Sequence, residues 1–146
     1  MAARWPAAAA ILIVALQLMP VHRSNPPATA DLSAPPEISS MLRDACYDCH
    51  SNHTRWPWYS AIAPVSWIVY RDVAEGRRRL NFSDWDAYAS DPGTARRKLT
   101  QIADLVIAGK MAPWYYRALH PRARLDPAQR RIIARWAATQ AQGAGR

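Results

Sequence analysis

Cysteine is nearly absent: the 146 residues contain two, so no disulfide framework holds this fold together. Both stand in Cys46-Tyr47-Asp48-Cys49, a spacing that reads as a site. Phenylalanine occurs once, against seven tryptophans. Each indole needs a large apolar contact and a partner for its N–H, and a flat aromatic ligand would suit that demand. Acid is scarce as well, with 11 Asp and Glu against 19 Lys and Arg, and none precedes Asp31. The net charge of +8 favours an anionic partner, whether acidic protein, anionic lipid or nucleic acid, and does not choose among them. No segment alternates with period two and no repeat is visible, which argues against a sheet-built or solenoid architecture.

A long apolar run is also missing. The stretch from Ala7 to Met19 follows Arg4 and is interrupted only by Gln17. It is short of the roughly 20 residues that a bilayer span needs. A charged start, an apolar middle and the polar, Pro-rich residues from Pro20 to Pro27 are the parts of an export signal. Residues 1–23 are therefore expected to be a signal peptide or an uncleaved N-terminal membrane anchor. Ala28-Thr29-Ala30 offers an A-x-A cleavage site, although it lies far beyond the apolar run. Either reading places the folded part in the periplasm, with the membrane as a partner of the N-terminus.

Residues 24–36, rich in Pro, Ser and Ala, read as a linker, and 37–140 as one domain with a flexible tail over 141–146. Within the domain the apolar spacing is helical. Ile38, Met41, Leu42 and Ala45 lay one stripe along a helix that runs into the cysteine pair. Pro64 opens a second helix that carries Val65, Ile68, Val69 and Val73 inward and stops at Gly76. Leu99, Ile102, Ala103 and Val106 mark a third, ended by Gly109. The last begins with Asp126 as N-cap, Pro127 at the first turn and Gln129 completing a capping box, with Ile132, Ile133 and Trp136 inward. The expected fold is all-α, a small cytochrome c-like domain of three to five helices with long loops.

Cys46-Tyr47-Asp48-Cys49-His50 is C-x-x-C-H, the attachment signature of haem c. Two thiols one helical turn apart can each add to a vinyl group of the haem, and the adjacent histidine is brought under the macrocycle as proximal ligand. The same pentapeptide occurs in dithiol redox and zinc sites. A thioredoxin-like site wants a βαβ context, which this sequence lacks. A zinc site wants four ligands, and only His53 and His120 remain as further candidates, neither in paired spacing. Export suits haem attachment, so one covalent haem is the preferred reading.

Met111 lies in a Pro-containing loop after a helix, about where small cytochromes c deliver a thioether to the distal side of the iron. His120 is the rival distal ligand. Trp56, Trp58 and Tyr59 on one loop and Trp114, Tyr115 and Tyr116 on another flank the two ligand positions, and are candidates for packing on the haem. Arg55 is a candidate partner for a propionate. The arginines Arg77 to Arg79, Arg122, Arg124, Arg130 and Arg131 read as a solvated face rather than a docking patch.

Taken together, Cys46-Tyr47-Asp48-Cys49-His50-Ser51-Asn52, Trp56-Pro57-Trp58-Tyr59-Ser60, Pro64-Val65-Ser66-Trp67, Glu75-Gly76-Arg77, Lys110-Met111-Ala112-Pro113 and Leu119-His120-Pro121 give the chain a likeness to a known family. It resembles the bacterial haem-binding domain family of small, exported, single-haem proteins, from about Pro35 to Ala137. The resemblance implies one haem c, a mostly helical cytochrome c-like fold and residence at the cell envelope. With Met111 on the iron, the expected function is one-electron transfer to a redox partner protein, by charge an acidic one. With an open distal position it is a haem-based ligand sensor or a small peroxidase-like enzyme. A nucleic-acid-binding module rests on charge and tryptophan alone, and export argues against it.

Overall fold

The computed structural model describes residues 4–19 and 21–144. Eight α-helices follow one another among these residues, with no strand: α1 (Arg4–Gln17), α2 (Pro36–Ala45), α3 (Tyr47–His50), α4 (Val65–Arg79), α5 (Trp85–Ala89), α6 (Pro92–Ile107), α7 (Trp114–Leu119) and α8 (Pro127–Gly143). The expected all-α fold is present. Four of them, α2, α4, α6 and α8, are the long helices of the domain, and α3, α5 and α7 are short pieces set in its loops.

The core forms where the apolar stripes meet. Ile38, Met41, Leu42 and Ala45 of α2, Leu99, Ile102, Ala103 and Val106 of α6 and Ile133, Ala134, Ala137 and Ala141 of α8 are all buried in one cluster. Small residues on α8 admit close packing there. Helix α6 starts on Asp91, whose carboxylate accepts from the amides of Gly93 and Thr94, and ends before Gly109 at φ +65°, a conformation that glycine takes without cost. The capping box read for α8 is present, with Asp126 accepting from Ala128 and Gln129 while the Gln129 side chain accepts from the Asp126 amide.

Four sequence expectations need correction. The stretch 24–36 is no free linker, because it lies extended along the domain. Thr29 and Ala30 donate to the Ser83 carbonyl at 2.9 and 3.1 Å, Leu32 donates to Phe82 at 2.8 Å, and Leu32 itself is buried in the core. Helix α8 continues through Gly143 with Ala141 buried, so the expected tail 141–146 is helical up to there; its last two residues lie outside the described ones. Ile132 is 39% exposed while its neighbour Ile133 is fully buried, since one helical step separates the two faces. Helix α4 does not stop at Gly76 but runs to Arg79, and its Val65 and Ile68 are exposed rather than inward.

Gly76 has a different purpose from a helix stop. A Cβ at this position would run into the carbonyl oxygen of Cys49 and stand 2.9 Å from its carbonyl carbon. The absent side chain is what lets α4 lie directly against α3. Gly76→Ala is therefore expected to destabilise the protein by about 2 kcal/mol, the cost of overpacking a closed contact, and thermal unfolding would show it as a clear fall in Tm. Gly143→Ala, where an added Cβ meets nothing within 4 Å, should leave Tm unchanged or slightly raised.

Candidate functional site

Cys46 closes α2 by donating its amide to Leu42 at 2.8 Å, and its own carbonyl then accepts from Cys49 and His50 at 3.2 and 2.9 Å. The backbone kinks at Cys46, and the single turn of α3 carries Cys49 and His50 round to α4. Both thiols are unpaired and half-buried, and Cys46 packs against the core. Burial pushes each up to about 12, Cys46 with help from Cys49, and Cys49 with help from Asp72 and Asp48.

His50 is fixed by α4. Its Nδ1 lies 3.0 Å from the Gly76 carbonyl and 3.1 Å from that of Leu80. Both are acceptors, so Nδ1 carries the proton, and the Nε2 lone pair is left for a metal. Burial lowers the pKa of the ring and keeps it neutral, the form in which imidazole binds iron. The Phe82 ring meets it edge-on at 6.3 Å, and the Phe82 amide donates to the His50 carbonyl at 2.7 Å.

Beside the motif lies a cavity of about 440 Å³ between α3, the loop Thr54–Tyr59, α4 and α7. Cys49 and Asp48 form one wall, Val65, Ile68, Val69 and Val73 another, and Tyr59, Tyr115 and Tyr116 contribute rings. The exposure of Val65 and Ile68 is explained here, because the α4 stripe faces the cavity instead of the helical core. Cys46 and His50 are not among the lining residues. The donor set fits a covalently held haem nonetheless: two unpaired thiols one turn apart, an imidazole whose Nε2 is reserved, and an apolar space opening on Cys49. Among the described residues, no group of three or more His, Cys, Asp or Glu is placed to hold a metal ion alone.

Two tyrosines tie α7 across this cavity. The Tyr116 hydroxyl donates to Asp48 at 2.6 Å and the Tyr115 hydroxyl to Asp72 at 2.8 Å. Asp48, buried inside the C-x-x-C sequence, also accepts from the Arg55 amide at 3.0 Å and from Arg55 Nε at 3.1 Å. Arg55, read as a propionate partner, is thus engaged with Asp48, and additionally with Asp44 at 3.6 Å. Neither the buried Asp48 nor this network was singled out from sequence. Its only signal was an acid at a variable position of the motif followed by an arginine on the next loop.

The other candidates are distributed as follows. Tyr59 lines the cavity, whereas Trp56 donates its indole N–H to Asn25 at 3.2 Å, and Trp58 and Trp114 are 77% and 72% exposed. Met111 stands half-buried in the loop between α6 and α7, four residues before Tyr115, and is not a lining residue. His120 stacks on Tyr116 at 3.9 Å and has both nitrogens engaged, Nδ1 with the Tyr116 carbonyl at 3.0 Å and Nε2 with the Tyr59 hydroxyl at 3.3 Å. As distal ligand it would have to give up the Tyr59 bond. His53 pairs with Asp31 at 3.3 Å. Arg77, expected on a solvated face, instead donates to Ser51, Ser24, Asn25 and Thr54 within 2.9 Å, and so clamps the N-terminal segment to the motif.

Two outcomes follow from the tyrosine ties. Tyr116→Phe leaves a buried carboxylate short of one donor and should cost about 2 kcal/mol in chemical unfolding, while Tyr115→Phe, on the more exposed Asp72, should cost less. Burial and the Asp72 bond push the Tyr115 hydroxyl up to about 12. An unfolded tyrosine ionises near pH 10, so the stability Tyr115 contributes is whole below about pH 10 and is lost as pH rises toward the folded value. Circular dichroism should show a loss of stability over that alkaline window that is shallower in Tyr115→Phe.

The sequence model of the haem-binding domain family matches residues 11–139, which covers the long helices of the domain, the C-x-x-C-H turn and the loop that carries Met111. No curated protein and no solved structure matches the chain significantly. On the strength of that match the chain belongs to the haem-binding domain family.

Proposed function

We propose that this haem-binding protein holds a single haem c, covalently through Cys46 and Cys49 with His50 as proximal ligand, and transfers single electrons at the cell envelope. The observation that carries the reading is the state of His50. A C-x-x-C-H turn whose histidine already donates Nδ1–H to two backbone carbonyls is preset to offer Nε2 to iron. Thioether attachment forms one S–C bond per cysteine, the thiol proton passing to the other vinyl carbon. The bound group would supply a one-electron iron couple, and a second protein ligand such as Met111 would raise its potential and keep small molecules off the metal.

The periplasm is proposed as the compartment, on the N-terminal apolar segment and its Arg4. No helix among the described residues is long and apolar enough to cross a membrane. An acidic redox protein is the proposed partner, drawn by the net charge of +8.

The test is a reduced pyridine-haemochrome spectrum of protein expressed with haem c maturation machinery, beside its Cys46→Ala/Cys49→Ala variant. A c-type band that survives acid-acetone extraction and vanishes in the variant is the expected result, and non-covalent or absent haem overturns it. The ferrous protein should resist carbon monoxide, and Met111→Ala should admit it. Rapid binding to the unsubstituted protein would instead favour a ligand sensor or peroxidase-like enzyme.

A further inference from the structure

The segment from Ser24 to Leu32 has no helix or strand beyond a single parallel bridge between Ala30 and Asp84, yet it reaches the C-x-x-C-H turn along several routes. Leu32 donates to the Phe82 carbonyl, and the Phe82 amide donates to the His50 carbonyl at 2.7 Å, so one buried residue separates the segment from the proximal histidine. The Arg77 guanidinium donates to the Ser24 carbonyl and Asn25 Oδ1 on one side, and to the Ser51 carbonyl and Thr54 Oγ1 on the other. Asn52 donates its side-chain amide to the Pro27 carbonyl at 3.0 Å, and His53 pairs with Asp31. Asn25 donates to the Thr54 carbonyl at 2.9 Å, and Thr54 Oγ1 donates to the Asp48 carbonyl at 2.8 Å. Each residue from His50 to Thr54 is therefore held by this segment, directly or through one intermediary.

These bonds are not replaceable from elsewhere in the fold. Arg77 is half-buried and forms no ion pair among the described residues, so its guanidinium depends on neutral acceptors, of which Ser24 and Asn25 belong to the segment. Asn52 is buried as well, and an N–H that loses its acceptor inside a protein carries the full cost of its desolvation. A cut after Ala30, at the A-x-A triplet, would remove Ser24, Asn25 and Pro27 together with the Ala30 carbonyl that accepts from Trp85 at 2.8 Å. The segment is not part of the cavity lining, so what fills the cavity does not displace it.

We infer that residues 24–32 are a permanent strap of the mature protein, which positions the turn from His50 to Thr54 through Arg77 and Phe82, and that Ala28-Thr29-Ala30 is not a processing site. The inference rests on the export and the proximal role of His50 proposed above. A chain beginning at Asp31 would keep the whole pentapeptide and still lose the bonds that hold Ser51, Asn52 and Thr54, which makes Arg77 a positioning residue for the proximal ligand. Processing nearer the apolar run, ahead of Ser24, leaves the strap whole.

The test begins with the intact mass of the protein recovered from a host that exports it and attaches haem. A first residue at or before Ser24 is expected, and a chain that begins at Asn25 or later overturns the inference. Amide hydrogen exchange on the same sample should find Thr29, Ala30, Leu32 and Trp85 slower than free chain by about a hundredfold or more, and free-chain rates there overturn it with or without haem. In Arg77→Lys, which keeps the charge and loses the fork of donors, the amides of His50, Asn52 and His53 should exchange about tenfold faster while those from Leu99 to Val106 keep their rates. The ferric electron paramagnetic resonance signal, which reads the orientation of the proximal ring, should shift with them. Equal acceleration in both regions, or none at the turn, overturns the positioning role, and Asn25→Ala reads the same amides without altering α4. Haem adds its own mass to the intact chain, so a strap that fails and a haem that is never attached are told apart.

Discussion

The contact on which the site depends is the one between α3 and α4, made possible by the missing side chain at Gly76. Because the helices touch at backbone level, the carbonyls of Gly76 and Leu80 come within hydrogen-bond reach of His50 Nδ1. One close approach therefore sets the tautomer of the proximal imidazole, the position of Cys49 and the direction in which α4 turns Val65 and Ile68 toward the cavity. Arg77, one residue later, uses the same helix to clamp the motif and the N-terminal segment together. A change that pushes α4 outward would disturb all of these at once.

The sequence exposed the elements whose signals are local. Asp126-Pro127 with Gln129 specifies its own helix start, and the stripes of α2 and α6 are read correctly because they pack against other helices in the ordinary way. The α4 stripe was misread for a physical reason. Apolar spacing reports that a face avoids water, not which apolar object covers it, and in α4 that object is a cavity. Gly76 was misread likewise, since a glycine that ends a helix and one that permits close contact look identical in one dimension.

The site was legible in its chemistry and less so in its surroundings. Cys46, Cys49 and His50 announce themselves by spacing, whereas the cavity wall is assembled from segments far apart in the chain. Both aromatic clusters were located, but not which of their rings line the cavity: Tyr59, Tyr115 and Tyr116 do, and Trp58 and Trp114 do not. Each of these tyrosines reaches a specific polar partner through its hydroxyl, His120, Asp72 or Asp48.

The two residues between the cysteines bear on whether the pentapeptide is portable. In the bare signature these positions are free. Here Tyr47 is buried and stacked on Phe82 at 5.2 Å, with the Arg43 guanidinium 5.1 Å from its ring, and Asp48 is the acceptor shared by Arg55 and Tyr116. The spacer is therefore part of the architecture, and an attachment motif transplanted from another scaffold would keep the ligands while removing the joint that holds three loops around them. In this protein the motif acts as a keystone, and the letters a pattern search ignores are those least open to exchange.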